Sequence, residues 1–283
     1  MILSTDSTSN LLKEQYEKLN IKMTPLQICM DNEIFDDLSD KLPINEFYNK
    51  MKNGSDVKTA QVNMETAREY FEDLLSSGKD VLHISFSSTL SGTTPTMQKL
   101  AEELNEKHKN KVVVIDSLNA SFGEGLLVLL AHDLIEQGKT IDEIKITLEE
   151  KRKYISSFFT VEQLKYLVRG GRVSKVSGMI GSLLNIKPIL RVNKEGKLVS
   201  HKKIISRKKS IQELANICAE NIEQSSPIYI THAVSIDDAT HLANLIEEST
   251  GTKPIINDLT QVIGSHTGPG LLAVFFISKH ETF

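Results

Sequence analysis

Val81-Leu82-His83-Ile84-Ser85-Phe86-Ser87-Ser88-Thr89-Leu90-Ser91-Gly92-Thr93-Thr94-Pro95 carries the fold in miniature. Residues 81–86 form a short, mostly apolar run of strand length. The Ser/Thr-rich stretch after it is turn chemistry. From Pro95 to Lys107 the apolar residues Met97, Leu100, Ala101 and Leu104 recur at helical spacing. Thr94 suits the N-cap and Pro95 the first helical position, so the spacing predicts a helix starting at Pro95. Residues 112–115 are then continuously apolar, the pattern of a strand buried inside a parallel sheet. Strand, helix and strand in this order predict an α/β layer.

The same alternation extends outward. Residues 1–3 and 26–30 read as strands, and residues 66–76, 126–137 and 141–154 as helices. The second half has a different rhythm. It predicts a strand at 157–160, a helix at 161–169 stopped by Gly170-Gly171, and the end of a segment at 182–185. A strand follows at 187–190, then a turn at 194–197 and a hairpin closed by Ile204-Ile205. Helices at 210–223 and 239–249 alternate with strands at 228–231, 255–256 and 271–278. At 283 residues the chain is near the length at which single cores divide, so two domains are expected, 1–156 and 157–283.

Composition narrows the function. A net charge of −4 argues against nucleic acid, which needs a basic surface to displace counterions. The first residues lack a basic, apolar leader, and no apolar run reaches the ~18–20 residues of a membrane span. Cys29 and Cys218 stand apart in apolar surroundings and read as reduced core residues. These features lead to the expectation of a soluble, cytoplasmic protein with no stable membrane insertion.

Open parallel sheets take ligands beyond the carboxyl ends of their strands, which directs attention to the loops after Leu3, Phe86 and Ile115. Ser91-Gly92-Thr93 precedes a helix start, where free N–H groups and the helix dipole favour an anion. A plain capped turn with solvated hydroxyls is equally compatible. Ile263-Gly264-Ser265-His266-Thr267-Gly268-Pro269-Gly270 reads as a loop bearing a His that can donate to an anion, or an ordinary surface His. Asp116-Ser117 through Gly123-Glu124-Gly125 can serve a ligand or close helix–sheet packing. Nucleotide-binding glycine fingerprints, a nucleophile elbow and metal-spaced histidines are missing from the sequence.

Six stretches in order resemble the DegV family, whose members include fatty-acid-binding subunits of bacterial fatty acid kinase. They are Leu3-Ser4-Thr5-Asp6-Ser7-Thr8; Lys58-Thr59-Ala60-Gln61; Thr89-Leu90-Ser91-Gly92-Thr93; Asp116-Ser117 with Gly123-Glu124-Gly125; Arg169-Gly170-Gly171-Arg172-Val173-Ser174 with residues 181–190; and Gly264 to Gly270. Ala60 stands where the family usually has Ser, and Thr89 where Gly is common. The resemblance implies a DegV-like fold, with an N-terminal parallel-sheet domain, a C-terminal mixed-sheet domain and the ligand between them. It also implies a lipid-binding, non-enzymatic subunit that acts in bacterial phospholipid metabolism. Such a subunit holds a long-chain fatty acid by Thr59, Ser91, Gly92 and His266. It presents the carboxylate to a separate ATP-dependent kinase subunit for acyl-phosphate formation, and needs no cofactor or metal. Arg172 and Arg207 match positions that the resemblance associates with kinase docking; read alone they are a solvated basic face. Two other readings stay open, a hydrolase using Ser91 and His266 and a regulatory binding protein without lipid.

Overall fold

A computed structural model describes residues 1–172 and 186–282. Three sheets organise them. The first is wholly parallel, with β1 (Ile2–Asp6), β2 (Lys22–Thr24), β6 (Val81–Ser85) and β7 (Val112–Asp116) in the order β2-β1-β6-β7. The second is a small antiparallel sheet of β3 (Gln27–Met30), β4 (Glu33–Asp36) and β5 (Val57–Ala60) in the order β4-β3-β5.

The third sheet is mixed. Its strands are β8 (Ile155–Thr160), β9 (Ile189–Val192), β10 (Leu198–Lys202), β11 (Tyr229–His232), β12 (Ile255–Asp258) and β13 (Leu272–Ile277), in the order β10-β9-β8-β13-β11-β12. Only β11 and β12 run parallel; its other pairs are antiparallel.

Helices cover these sheets: α1 (Lys13–Lys18), α2 (Ile44–Lys52), α3 (Met64–Leu75), α4 (Thr93–Asn105), α5 (Phe122–Glu136), α6 (Ile141–Lys151), α7 (Lys165–Arg169), α8 (Arg207–Asn221), α9 (Ile236–Thr250) and α10 (Gln261–Thr267). All five residues of β6 are buried, as an inner parallel strand requires. Its His83 lies 2.8 Å from Ser4 Oγ, and burial pushes its pKa down to about 3. Helix α5 is apolar nearly all round, the composition of a helix buried on every side. It packs on β1 and β6 of the parallel sheet and on β8 and β13 of the mixed sheet, and so lies between them.

The mixed sheet divides its side chains by the period of two. Phe158, Leu272, Val274 and Phe276 join a core under α8 and α9. Phe159, Ala273 and Phe275 face the larger core, which also takes in Leu3, Leu82, Ile115 and Leu127 of the first half.

Several expected boundaries move. Helix α4 starts at Thr93, with Gly92 at the N-cap, so Pro95 is its third residue. A proline fits there because N–H groups of the first turn have no intrahelical acceptor. Thr94 is buried inside the first turn; its hydroxyl bonds Ser85 Oγ at 2.8 Å and the Phe86 carbonyl. The helix expected at 161–169 is confined to α7. The hairpin's second strand ends at Lys202, leaving Ile205 exposed. Residues 263–267, expected as loop, belong to α10. The segment end expected at 182–185 lies outside the described residues, as do Val173-Ser174 and residues 181–185 of the diagnostic stretch.

Candidate functional site

A cavity of about 400 Å³ opens among the three sheets, within the ~300–1,000 Å³ of small-molecule sites. Phe86, Leu90, Ser91, Gly92, Ala120 and Ser121 line it from the loops after β6 and β7 and the starts of α4 and α5. Ser157 and Phe159 of β8 and Leu271, Ala273 and Phe275 on β13's side supply the mixed-sheet wall. Val192, Leu198, Leu167, Val262 and Ile263 add further apolar surface. Most of the wall is aliphatic or aromatic, and one group of polar side chains gathers around Thr59 and His266.

That corner gathers Thr59, Gln61, Ser91, Gly92, Arg172 and His266. Thr59 Oγ1 lies 2.8 Å from His266 Nε2, joining β5 to α10 across 207 positions of sequence. Ser91 Oγ donates to Thr93 Oγ1 at 3.0 Å and accepts from Thr93 N–H at 3.2 Å. Gly92 lets the Gln61 carboxamide pack against its backbone: a Cβ there would stand 1.9 Å from Gln61 Oε1. The thirteen-residue α4 points its positive end at this corner. Burial pushes the His266 pKa down to about 4, and the charges of Arg172 and Arg169 push the same way. His266 is therefore neutral at pH 7, and the hydroxyl it holds is that of Thr59, not Ser91. Its Nδ1 lies against Gly170, where a Cβ would come within 2.3 Å.

Helix α10 places the histidine. Its first two N–H groups, of Gln261 and Val262, donate to the buried Asp37 Oδ1 at 2.9 and 3.2 Å. Gly264 allows Tyr48 to pack on the helix, since a Cβ would stand 2.1 Å from the phenol oxygen. That phenol donates to the Leu259 carbonyl at 3.1 Å.

Thr59, Ser91, Gly92 and His266 are thus drawn to one corner of the cavity, although they come from three separate stretches. Arg172, half of the expected docking pair, lines the same corner. It donates from Nε to the Leu90 carbonyl at 3.2 Å and from Nη1 to the Gly170 carbonyl at 2.6 Å. Arg207 stands elsewhere: it pairs with Asp238 Oδ2 at 2.8 Å at the start of α8, and its side chain is only 19% exposed.

Of the three loops singled out, those after β6 and β7 reach the cavity; the one after β1 turns inward. Asp6 there accepts from Phe86 N–H at 3.0 Å, Ser85 Oγ at 3.1 Å and Thr8, so it braces the loop after β6. Burial raises the pKa of Asp6, and still more that of Glu124, which accepts from Thr5 and Thr8. Sequence reading did not name Gln61 as a lining residue, nor the apolar wall. The period of two along residues 155–160 and 271–277 was the available signal for the latter.

Comparisons with known proteins agree in one direction. The family described as uncharacterised proteins of the DegV family matches residues 2–279. A DegV domain-containing protein of Clostridium perfringens is 40% identical over 283 residues, covering 98% of this chain and 97% of that protein. The structure of a DegV family protein from Thermus thermophilus, described by its fatty acid binding, is 29% identical. It superposes with a TM-score of 0.87 over 98% of this chain and 99% of that one. DegV from Bacillus subtilis, described as a fatty acid binding protein, is 28% identical with a TM-score of 0.88 over 98% and 99%. With a family match from Ile2 to Lys279 and the same fold end to end, the chain belongs to the DegV family.

Proposed function

We propose that this chain binds a long-chain fatty acid in the central cavity and presents its carboxylate to a separate ATP-dependent kinase. The carrying observation is the cavity's polarity: a mostly apolar wall with Thr59, Ser91, Gly92 and His266 gathered at one corner. The structural relatives from Thermus thermophilus and Bacillus subtilis are among those described as fatty-acid-binding, which supports the same ligand class.

Magnitudes divide the labour. Burying about 15 carbons at ~0.8 kcal/mol each gives roughly 12 kcal/mol of gross transfer free energy. A hydrogen bond to a charged group nets only about 1.5–3 kcal/mol. The tail therefore supplies affinity and the head group supplies position. Thr59 and Ser91 offer hydroxyl donors, and Gly92 is the N-cap at the positive end of α4. A carboxylate buried without several such donors would be costly. On this reading the chain divides at 156–157, the parallel sheet on one side of the tail and most of the mixed sheet on the other. The chemistry on the carboxylate then belongs to the kinase, and Arg172, exposed at the same corner, is the first candidate for docking it.

Thr59→Val and Arg172→Glu test the two halves of this reading. Thr59→Val is expected to weaken fatty acid binding about 10- to 100-fold. Arg172→Glu is expected to lower acyl-phosphate formation by an added fatty acid kinase beyond any loss of fatty acid affinity measured in the same variant. Unchanged binding in Thr59→Val would remove the head-group assignment. Full kinase coupling in Arg172→Glu would remove the docking one. Arg207→Glu is a poorer probe, because it places a second carboxylate against Asp238.

A further inference from the structure

Besides the head-group corner, the cavity wall carries polar side chains at Ser121 and Ser157. Both are at least 96% buried. The Ser121 hydroxyl has no hydrogen-bond partner among the described residues. Ser157 Oγ donates to Asn119 Oδ1 at 2.6 Å, so its lone pairs remain free to accept. Both serines border the start of α5, Ser121 as its N-cap and Ser157 against its second residue. Gly123, two residues past Ser121, sits so close to Ser157 that a Cβ there would come within 2.4 Å of Ser157 Oγ. Ser121 itself holds φ at 54° and ψ at −142°, backbone that glycine adopts far more easily. A serine kept at such a position, with an unbonded hydroxyl on the wall of an apolar cavity, is costly unless something in the cavity bonds to it.

The strand register gives its depth. Phe275 pairs with Ser157 and Ala273 with Phe159. Leu271, Ala273 and Phe275 follow one another along the wall, and Leu271 lies five positions after His266. Four residues of strand span about 13 Å, so Ser157 lies about that far beyond the level of Leu271. An extended carbon chain advances about 1.25 Å per carbon for bonds near 1.5 Å and angles near 111°. For an acyl chain that runs along β13 from a head group at the level of Leu271, Ser157 faces a point about ten carbons along, in the middle or far part of the chain.

We infer that the cavity accommodates acyl chains bearing a mid-chain hydroxyl group, which Ser121 and Ser157 recognise. The pairing is chemically complete. Ser121 Oγ–H donates to the ligand oxygen, and the ligand O–H donates to Ser157 Oγ, whose own proton is committed to Asn119. A ketone at the same carbon satisfies Ser121 alone, and a methylene or a cis double bond satisfies neither. This inference rests on the fatty-acid reading of the cavity and names its ligand class more closely.

The test is a competition between stearate and 10- or 12-hydroxystearate for the full chain, read by native mass spectrometry. Wild type, Ser121→Gly and Ser157→Ala are compared, with 3-hydroxystearate as the positional control. Ser121→Gly removes the hydroxyl while suiting the positive φ, so the fold is kept. In each variant the preference for a mid-chain hydroxyl over stearate is expected to fall about three- to tenfold. The 3-hydroxystearate ratio is expected not to move. An unchanged ratio for both mid-chain isomers in both variants overturns the inference and leaves the carrier reading standing. A chain that takes up neither stearate nor any hydroxystearate overturns both.

Discussion

His266 is where charge, burial and recognition meet in a single side chain. Its pKa in the folded protein is about 4, against about 6.5 for an exposed histidine. Between those values the unfolded chain binds a proton that the folded chain refuses. Stability from this group is therefore full above pH 6.5 and is lost as pH falls toward 4, by on the order of 1–3 kcal/mol. Asp37 works in the opposite sense, because burial raises its pKa to about 6. The difference between wild type and His266→Gln, measured by urea unfolding from pH 7 to pH 4.5, isolates the histidine. Wild type is expected to lose more stability than the variant over that range; parallel curves would mean that His266 titrates as an exposed residue. The candidate head-group residues were legible only as members of matching motifs. Helical and strand periodicity says nothing of a contact between residues 59 and 266, since that contact exists only once β5 and α10 have packed.

At the level of elements, β1, β6 and β7 of the parallel sheet were legible and α10 was not, for one physical reason. Strand β6 and helix α4 are specified locally, by an apolar run and an apolar stripe. Helix α10 has seven residues, too few to be stable alone, and carries Gly264 in its middle. Its N-terminal N–H groups are capped by Asp37, more than two hundred positions away, and its glycine is required by Tyr48. Each of those contacts is tertiary, so the local sequence reads as a loop. The start of α4 was misplaced by two residues because Pro95 is tolerated anywhere in the first turn. Gly264→Ala tests the account of α10. The added methyl meets a buried aromatic ring that has little room to retreat, and is expected to cost about 1–3 kcal/mol. A Tm lowered by a few degrees, with weaker fatty acid binding because His266 moves, is the predicted result. A variant as stable as wild type would show that the Tyr48 contact does not set the helix.

Across the whole molecule, α5 and the cavity share the space between the parallel and mixed sheets. The β9–β10 turn closes part of it: Ser87 and Thr89 hydroxyls donate to the Gly196 carbonyl at 2.9 and 2.7 Å. Gly196, at φ 76°, presses on Ser87 and Leu118 where any Cβ would collide. The two halves thus meet through hydroxyls and one bare glycine at the cavity's edge. A ligand filling the interior would bury its tail against walls from both halves at once. At 100 times its Kd it would stabilise the fold by about 2.7 kcal/mol.

The most direct measurement is native mass spectrometry of the full chain purified from a bacterial host, before and after delipidation and re-exposure to palmitate or oleate. The account predicts an added mass equal to one long-chain fatty acid, lost on delipidation, restored by either acid at one equivalent, and much reduced in Thr59→Val. A chain that stays ligand-free throughout, even with fatty acid in excess, would contradict it.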